Sequence, residues 1–401
     1  MITLQRRGIV DEYRQFSFSR ASTAFDSRGR LYHPHNARFE TIAGRTGVLV
    51  EEGTTNLLLR SEEFDNTVWG KSNSTIIANV ITAPNGTNTS YKIVSGNVGK
   101  NYIGVQQSVT FSNTIYTFTV YAKAGEVRWL RLGLTSYNAW FDLQSGVLGT
   151  VDLGATAAIK YVGNGWYLCS LTATIADGSG FVYIRLADSN GDLRFTGDGT
   201  SGLYLWGAQL EQKPYATSWT PGGTTRAAEK LTVPTAGLLD PREGTIELWI
   251  NPSFVASWNN FFHMSINTGR FLLFFNSYGA VAWDFGTVND PIETGTNVAI
   301  AGQWLHVAMR WSVTTGTREL FVNGQKIGSK PFTPPTGFPS TVNVVDNYSA
   351  YIDDLRISNI ARSDAEIAAY NSGQLQADQY TTLLLNFNGP DAQRAAKTVV
   401  I

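Results

Sequence analysis

The sequence predicts an all-β protein: two β-sandwich (jelly-roll) domains in tandem, preceded by an extended N-terminal arm, with one short helix near the C-terminus. Three observations carry this. From about residue 60 apolar and polar side chains alternate with period two, and turn signals cut the alternation roughly every ten residues. Aromatics make up 12% of the chain, glycines number 39 and charged residues are only 16%, which suits short aromatic-rich strands joined by Gly, Asn and Asp turns. A chain of 401 residues with 43% hydrophobic content is too long for one core and rich enough to fill two.

Taken in order, residues 1–59 are rich in Arg and hydroxyl side chains up to the apolar GVLVEE and read as a partly irregular arm. Residues 60–222 form the first sandwich, with strands such as YTFTVYAKAG (116–125), EVRWLRLGL (126–134), GFVYIRLADSNG (180–191) and GLYLWGAQLE (202–211). TSWTPGGTTRAAEKLTVP (217–234) holds Pro221, Gly222 and Gly223 and marks the seam. Strands resume over 223–401 with GTIELWINP, GRFLLFFNS, AVAWDFG, QWLHVAMRW and AYIDDLRISN. Asn323-Gly324 between two alternating runs predicts a tight type I′ hairpin. Ser363 with Glu366 three residues on predicts an N-capped helix over SDAEIAAYNSG. RAAEKLTV (226–233) is partly echoed by RAAKTVV (394–400), which suggests that the last strand packs beside the start of the second domain.

The net charge of −1 and a pI near 6.4 supply no basic field for nucleic acid or an acidic membrane surface. No apolar run reaches the roughly twenty residues of a membrane span, and the N-terminus lacks a signal-peptide pattern, so a cytoplasmically made protein without membrane insertion is expected. The single cysteine, Cys169, lies in an apolar strand and implies no redox chemistry.

QWLHVAMRW places Leu305, Val307, Met309 and Trp311 on one strand face and Trp304, His306, Ala308 and Arg310 on the other. With no metal set or nucleophile nearby, His306 reads as a buried structural histidine. Glu51-Glu52 and Asp353-Asp354 are neighbours on strands and point to opposite faces, so no catalytic pair is expected and the chain reads as non-enzymatic. Glycan stacking needs flat rings beside hydrogen-bonding side chains on a surface water can reach. Tyr121, Trp129 and Arg131, then Tyr183 and Arg185, would share a polar-aromatic sheet face if their strands are neighbours; Trp258, Tyr278 and Trp283 lie near loops of the second domain.

Two sets of motifs resemble known families. FSRAST (18–23), GVLVEEGTTNLLLRSEEFDNTVW (47–69) and GLYLWGAQLEQKPYATSWTPGGTTRAAE (202–229) resemble segments that frame a carbohydrate-binding-module-like jelly roll in tailed-bacteriophage virion proteins. GTIELWINP, QWLHVAMRW, ELFVNGQKIG and IDDLRISNIARSDAEI resemble the laminin G-like, concanavalin A-like sandwich. The resemblance implies a virion component of the tail or tail fibre that binds host-surface glycan, assembles with other virion proteins and forms homo-oligomers, trimers among them. It leaves open a purely structural decoration, fibre or connector subunit, and a glycan-degrading enzyme, although the Glu-x-Asp-x-x-Glu spacing of the glucanases is missing. It also implies a rim site for structural calcium, with Asp353 or Asp354 at the matching position.

Overall fold

The computed structural model describes residues 16–387 apart from 256–258, 268, 287–289, 346–347 and 371–372. It is built almost wholly of antiparallel strands and divides into two compact units. One comprises residues 1–21, 35–52 and 228–401; the other comprises 22–34 and 53–227. The second is thus inserted, in chain order, into the first.

The 228–401 unit is a sandwich of an eight-stranded and a seven-stranded sheet. The larger sheet runs Gln325–Pro331, Thr317–Val322, Leu305–Ser312, Glu243–Pro252, Ala350–Ser358, Arg45–Val50 and Arg38–Ile42, and Thr381–Leu385 also pairs with Ala350–Ser358. The smaller one runs Ser17–Ser19, Lys230–Pro234, Thr341–Val344, Asn259–Ile266, Gly269–Phe275, Val281–Gly286 and Ile292–Glu293. Inward-facing Ile246, Leu248, Val307, Met309 and Trp311 meet Phe262, Phe271, Leu273 and Trp283 in one core, and burial of this apolar area is the main stabilising term.

The segment read as an arm is strand-forming here. Val48 pairs with Ile352 and Phe39 with Val48, so GVLV becomes an internal strand of the larger sheet. Val48 and Val50 are buried in its core. The physical reason is plain: an apolar triplet with unpaired backbone finds both burial and a ladder at that sheet edge.

The 53–227 unit packs two six-stranded sheets. One runs Val147–Val151, Tyr137–Asp142, Trp129–Leu134, Gly178–Ala187, Gly104–Phe111 and Gly70–Ser72. The other runs Ala155–Gly163, Trp166–Ile175, Thr114–Ala124, Gly202–Glu211, Tyr91–Ser95 and Ser74–Ala78. Leu130, Leu132, Val182 and Ile184 face Phe118, Val120, Leu203 and Leu205, with Cys169 fully buried among them. The outer side of the second sheet is covered at its centre: Tyr121, Trp166, Trp206 and Trp219 form a separate aromatic layer against Phe25. Gly29, at φ 72°, permits that cover, since a Cβ there would sit 2.5 Å from the Trp206 ring.

Local chemistry follows the sequence closely in two places. Asn323 (φ 48°) and Gly324 (φ 74°) close a two-residue hairpin between Val322 and Gln325, the left-handed pair a type I′ turn requires. The helix Asp364–Ala369 is opened by Ser363 with a complete capping box to Glu366; it ends at Tyr370, short of Gly373. The second copy of the RAA echo, 394–400, lies outside the described residues.

Candidate glycan-binding face

Antiparallel register brings the predicted ring and guanidinium side chains of two strands together. Trp129–Leu134 and Gly178–Ala187 are direct neighbours, with Arg131 opposite Arg185 and Gly133 opposite Tyr183. Because Leu130, Leu132, Val182 and Ile184 take the core side, Trp129, Arg131, Tyr183 and Arg185 point outward. Gly133 matters here: a Cβ would sit 2.8 Å from the Tyr183 ring, so its absence lets that ring lie flat across the sheet. Gly104–Phe111 continues the face, placing Gln106 opposite Tyr183.

Two residues that alternation did not single out complete the face. Tyr102, 37% exposed in the turn before Gly104, lies with its ring centroid 4.6 Å from the Arg185 guanidinium, 5.7 Å from that of Arg131 and 5.2 Å from that of Arg194. Arg185 also stacks on Tyr183 at 4.4 Å. These are cation–π geometries. Tyr102 and Arg194 sit in turns, where period-two reasoning has no purchase; the only signal was their nearness in sequence to outward-facing strand ends.

Tyr121 does not join this face, contrary to expectation. Its strand, Thr114–Ala124, belongs to the other sheet, and the ring is buried edge-on to Trp206 at 5.2 Å with its hydroxyl donating to the Ser27 carbonyl at 3.2 Å. Alternation had assigned the correct side of the strand, but the side it assigned is covered. In the other unit Trp283 is also a correction, being fully buried in the core. Tyr278 is 68% exposed and lines a shallow pocket with Ser277, Asn297 and Thr296. Trp258 lies outside the described residues.

His306 is fully buried and stacks on Trp249 with centroids 5.3 Å apart. Its backbone exchanges hydrogen bonds with Asn323, the N–H donating to the Asn323 side chain at 3.1 Å and the carbonyl accepting from its N–H at 2.8 Å. The ring Nε2 lies 3.6 Å from Glu247 Oε1. The other Glu247 oxygen accepts from Arg356 Nε at 2.8 Å. Among the described residues neither ring nitrogen nor Glu247 Oε1 makes a hydrogen bond, so what holds His306 in place is its backbone bonding to Asn323 and its packing on Trp249.

Asp353 and Asp354 are both buried, and a β-bulge in their strand sets both toward Arg45. Arg45 Nη1 donates to Asp353 at 2.8 Å and to Asp354 at 3.0 Å, while its guanidinium stacks on Trp249 at 4.0 Å. This set does not fit calcium. The ion takes six to eight oxygen ligands, whereas here a guanidinium holds one oxygen of each carboxylate, and no group of three or more His, Cys, Asp or Glu that could hold a metal occurs among the described residues. Burial, then the neighbouring Asp353 charge, pushes the Asp354 carboxyl up to about 7; burial raises Asp353 as well.

That shift has a sign. Between the unfolded value near 4 and about 7 the folded state holds a proton the unfolded chain has lost, so unfolding free energy falls as pH rises through this window. Asp354→Asn should therefore flatten the dependence of Tm on pH between about pH 4 and about pH 7. A variant whose Tm falls as steeply as the parent's would show that the carboxyl does not titrate there.

No curated protein matches the chain at a significant level. Among solved structures it is similar to a putative carbohydrate binding protein from Bacteroides ovatus, at 11% identity over 74% of this chain and 86% of that one, TM-score 0.31. It is similar over 33% of its length to the CBM40 of Ruminococcus gnavus IT-sialidase bound to α2,3-sialyllactose, at 15% identity over 83% of that chain, TM-score 0.28. A heptameric SAP-like pentraxin from Limulus polyphemus aligns at 19% identity over 33% of this chain and 70% of that one, TM-score 0.28. Residues 223–368 match the family described as the concanavalin A-like lectin/glucanases superfamily.

Proposed function

We propose that this chain is a non-enzymatic virion protein of a tailed bacteriophage, a tail or tail-fibre component, that adheres to host-surface glycan through the outer face of the 53–227 unit. The observation that carries the binding is the juxtaposition of the partly exposed Tyr102, Trp129, Tyr183 and Gln106 with the nearly buried guanidinium groups of Arg131 and Arg185 on the outer side of one sheet. Flat rings framed by hydrogen-bonding groups are what a sugar ring requires. The virion assignment draws on the framing motifs FSRAST, GVLVEEGTTN and TSWTPGGTTRAAE. The absence of catalysis is supported by how the buried acids are used: Glu247 pairs with Arg356, and Asp353 and Asp354 with Arg45.

A glycan array with the full chain tests this reading. Tyr183→Ala should weaken binding by at least about fivefold, the effect of losing one ring that contributes roughly 1 kcal/mol, with Tm unchanged within a few degrees. Saturable binding that Tyr183→Ala leaves intact would remove the face from consideration. One observation favours a structural subunit instead: Phe181, 38% exposed and 5.9 Å from Tyr183, extends the face with apolar area suited to contact between copies in a homo-oligomer. In that case no glycan binds, and Tyr183→Ala changes the mass of the assembly in solution.

A further inference from the structure

We propose that Arg131, Arg185 and Arg194 around Tyr102 form an oxyanion subsite that takes the carboxylate or sulfate group of an acidic sugar; this rests on the reading of the face as glycan-binding. Arg131 and Arg185 stand directly opposite each other on adjacent strands, an arrangement in which like charges oppose folding. They are 4% and 9% exposed, so solvent screens them little. Burial, then the neighbouring Arg185 charge, pulls the Arg131 guanidinium down to about 10.

Several other buried arginines of this protein have a carboxylate: Arg20 and Arg38 have Glu229, and Arg356 has Glu247. Among the described residues Arg131, Arg185 and Arg194 form no ion pair. Arg131 Nη1 donates to the Leu193 carbonyl at 2.8 Å and Arg185 Nη2 to Gln106 Oε1 at 3.1 Å. The Nε of each is buried without a partner. A guanidinium carries five N–H donors in a planar fork, so most of their hydrogen-bonding capacity is unspent.

The acids in the neighbourhood are already engaged. Asp152, which acts on Arg131 through charge alone, accepts from the Asn138 backbone and side chain at 2.8 Å each. Asp188 and Asp192 pair with Lys100 at 3.5 and 3.3 Å. The cluster therefore has a surplus of positive charge, a forked donor geometry and a ring beside it. Arginine pairs of this kind match planar or tetrahedral oxyanions bidentately, while the Tyr102 and Tyr183 rings offer a platform for the sugar that bears the group.

The test is calorimetric titration of the full chain with three probes of equal length: tetragalacturonate, a κ-carrageenan-derived tetrasaccharide whose only acidic groups are sulfates, and uncharged maltotetraose. At least one acidic probe should bind about tenfold or more tighter than the neutral one, with the tighter of the two naming carboxylate or sulfate as the group recognised. Arg185→Met should abolish that preference. Arg194→Ala, at an exposed position that does not endanger folding, should reduce it severalfold, and both variants should keep a parent-like far-UV spectrum. Equal affinity for acidic and neutral probes, or an acidic preference that survives both substitutions, overturns the subsite. Neutral glycans that bind an array through Tyr183 while neither acidic probe binds would sink the subsite alone. No glycan binding of any kind would sink the adhesion reading together with it.

Discussion

Glu229→Gln is expected to destabilise the unit that contains it by roughly 3–5 kcal/mol, the usual cost of leaving buried charges without their partner. Glu229 is the hub of a buried ion cluster. Its Oε1 accepts from Arg20 Nη1 at 2.6 Å, and its Oε2 accepts from Arg38 Nη2 at 2.6 Å and from the Glu51 N–H at 2.8 Å. The side chains of Arg20, Arg38 and Glu229 are all 0% exposed. Burial alone would lower the Arg38 guanidinium, but Glu229, Glu51 and Glu40 more than offset it and hold it above its ordinary value. Gln preserves the shape while removing the charge, and its NH₂ would face arginine donors. For a unit of this size the loss corresponds to a fall in Tm on the order of 6–20 °C. Thermal melts followed by tryptophan fluorescence would read it, and a Gln variant melting with the parent would mean that Glu51 alone neutralises both arginines.

That cluster also explains the framing motifs. Arg20 comes from FSRAST, Glu51 from GVLVEE and Glu229 from TTRAAE, stretches separated by up to 209 positions that meet as one ion network. A second knot, within the 53–227 unit, uses the rest of them. Glu211 accepts from the Thr54 and Thr217 hydroxyls at 2.7 Å each and from the Thr217 N–H at 2.9 Å. Asn56 donates to the carbonyls of Ala208 and Thr220 at 2.9 and 2.8 Å. The motifs therefore join chain segments into their respective units, which is why they carry no information about a ligand.

Strands, the hairpin turn and the helix cap were legible because each depends on residues a few positions apart. Which strands lie side by side was not. Alternation told which way Tyr121 points but not that Phe25, from far upstream, covers that side. Nor could it show that Val48 pairs with Ile352, 304 positions further along the chain, so GVLV read as the end of an arm. Arg131 and Arg185 were legible as outward-facing, since their strands alternate strictly; the Tyr102 and Arg194 contribution was hidden because turn residues follow no period. Partner choice among strands is set by burial and long-range register, and one sequence does not display it.

The fate of Trp283 separates ring-as-ligand from ring-as-core. Sequence placed it near a loop, with Tyr278, as a candidate for stacking on sugar. In the fold it is 0% exposed, pairs in register with Leu273, packs against Phe271 at 5.2 Å and Phe285 at 6.2 Å, and lies under the Arg318 guanidinium at 5.7 Å. Trp283→Ala should therefore cost about 3–5 kcal/mol through lost transfer energy and the cavity left behind, with no change in glycan affinity per folded molecule. Tyr278→Ala, at a position 68% exposed, should leave stability within about 0.5 kcal/mol of the parent. Chemical denaturation alongside array binding distinguishes the two effects. A Trp283→Ala protein that unfolds at the parent's midpoint yet loses binding would place the ring at a ligand and not in the core, and would require the smaller sheet to open on that side.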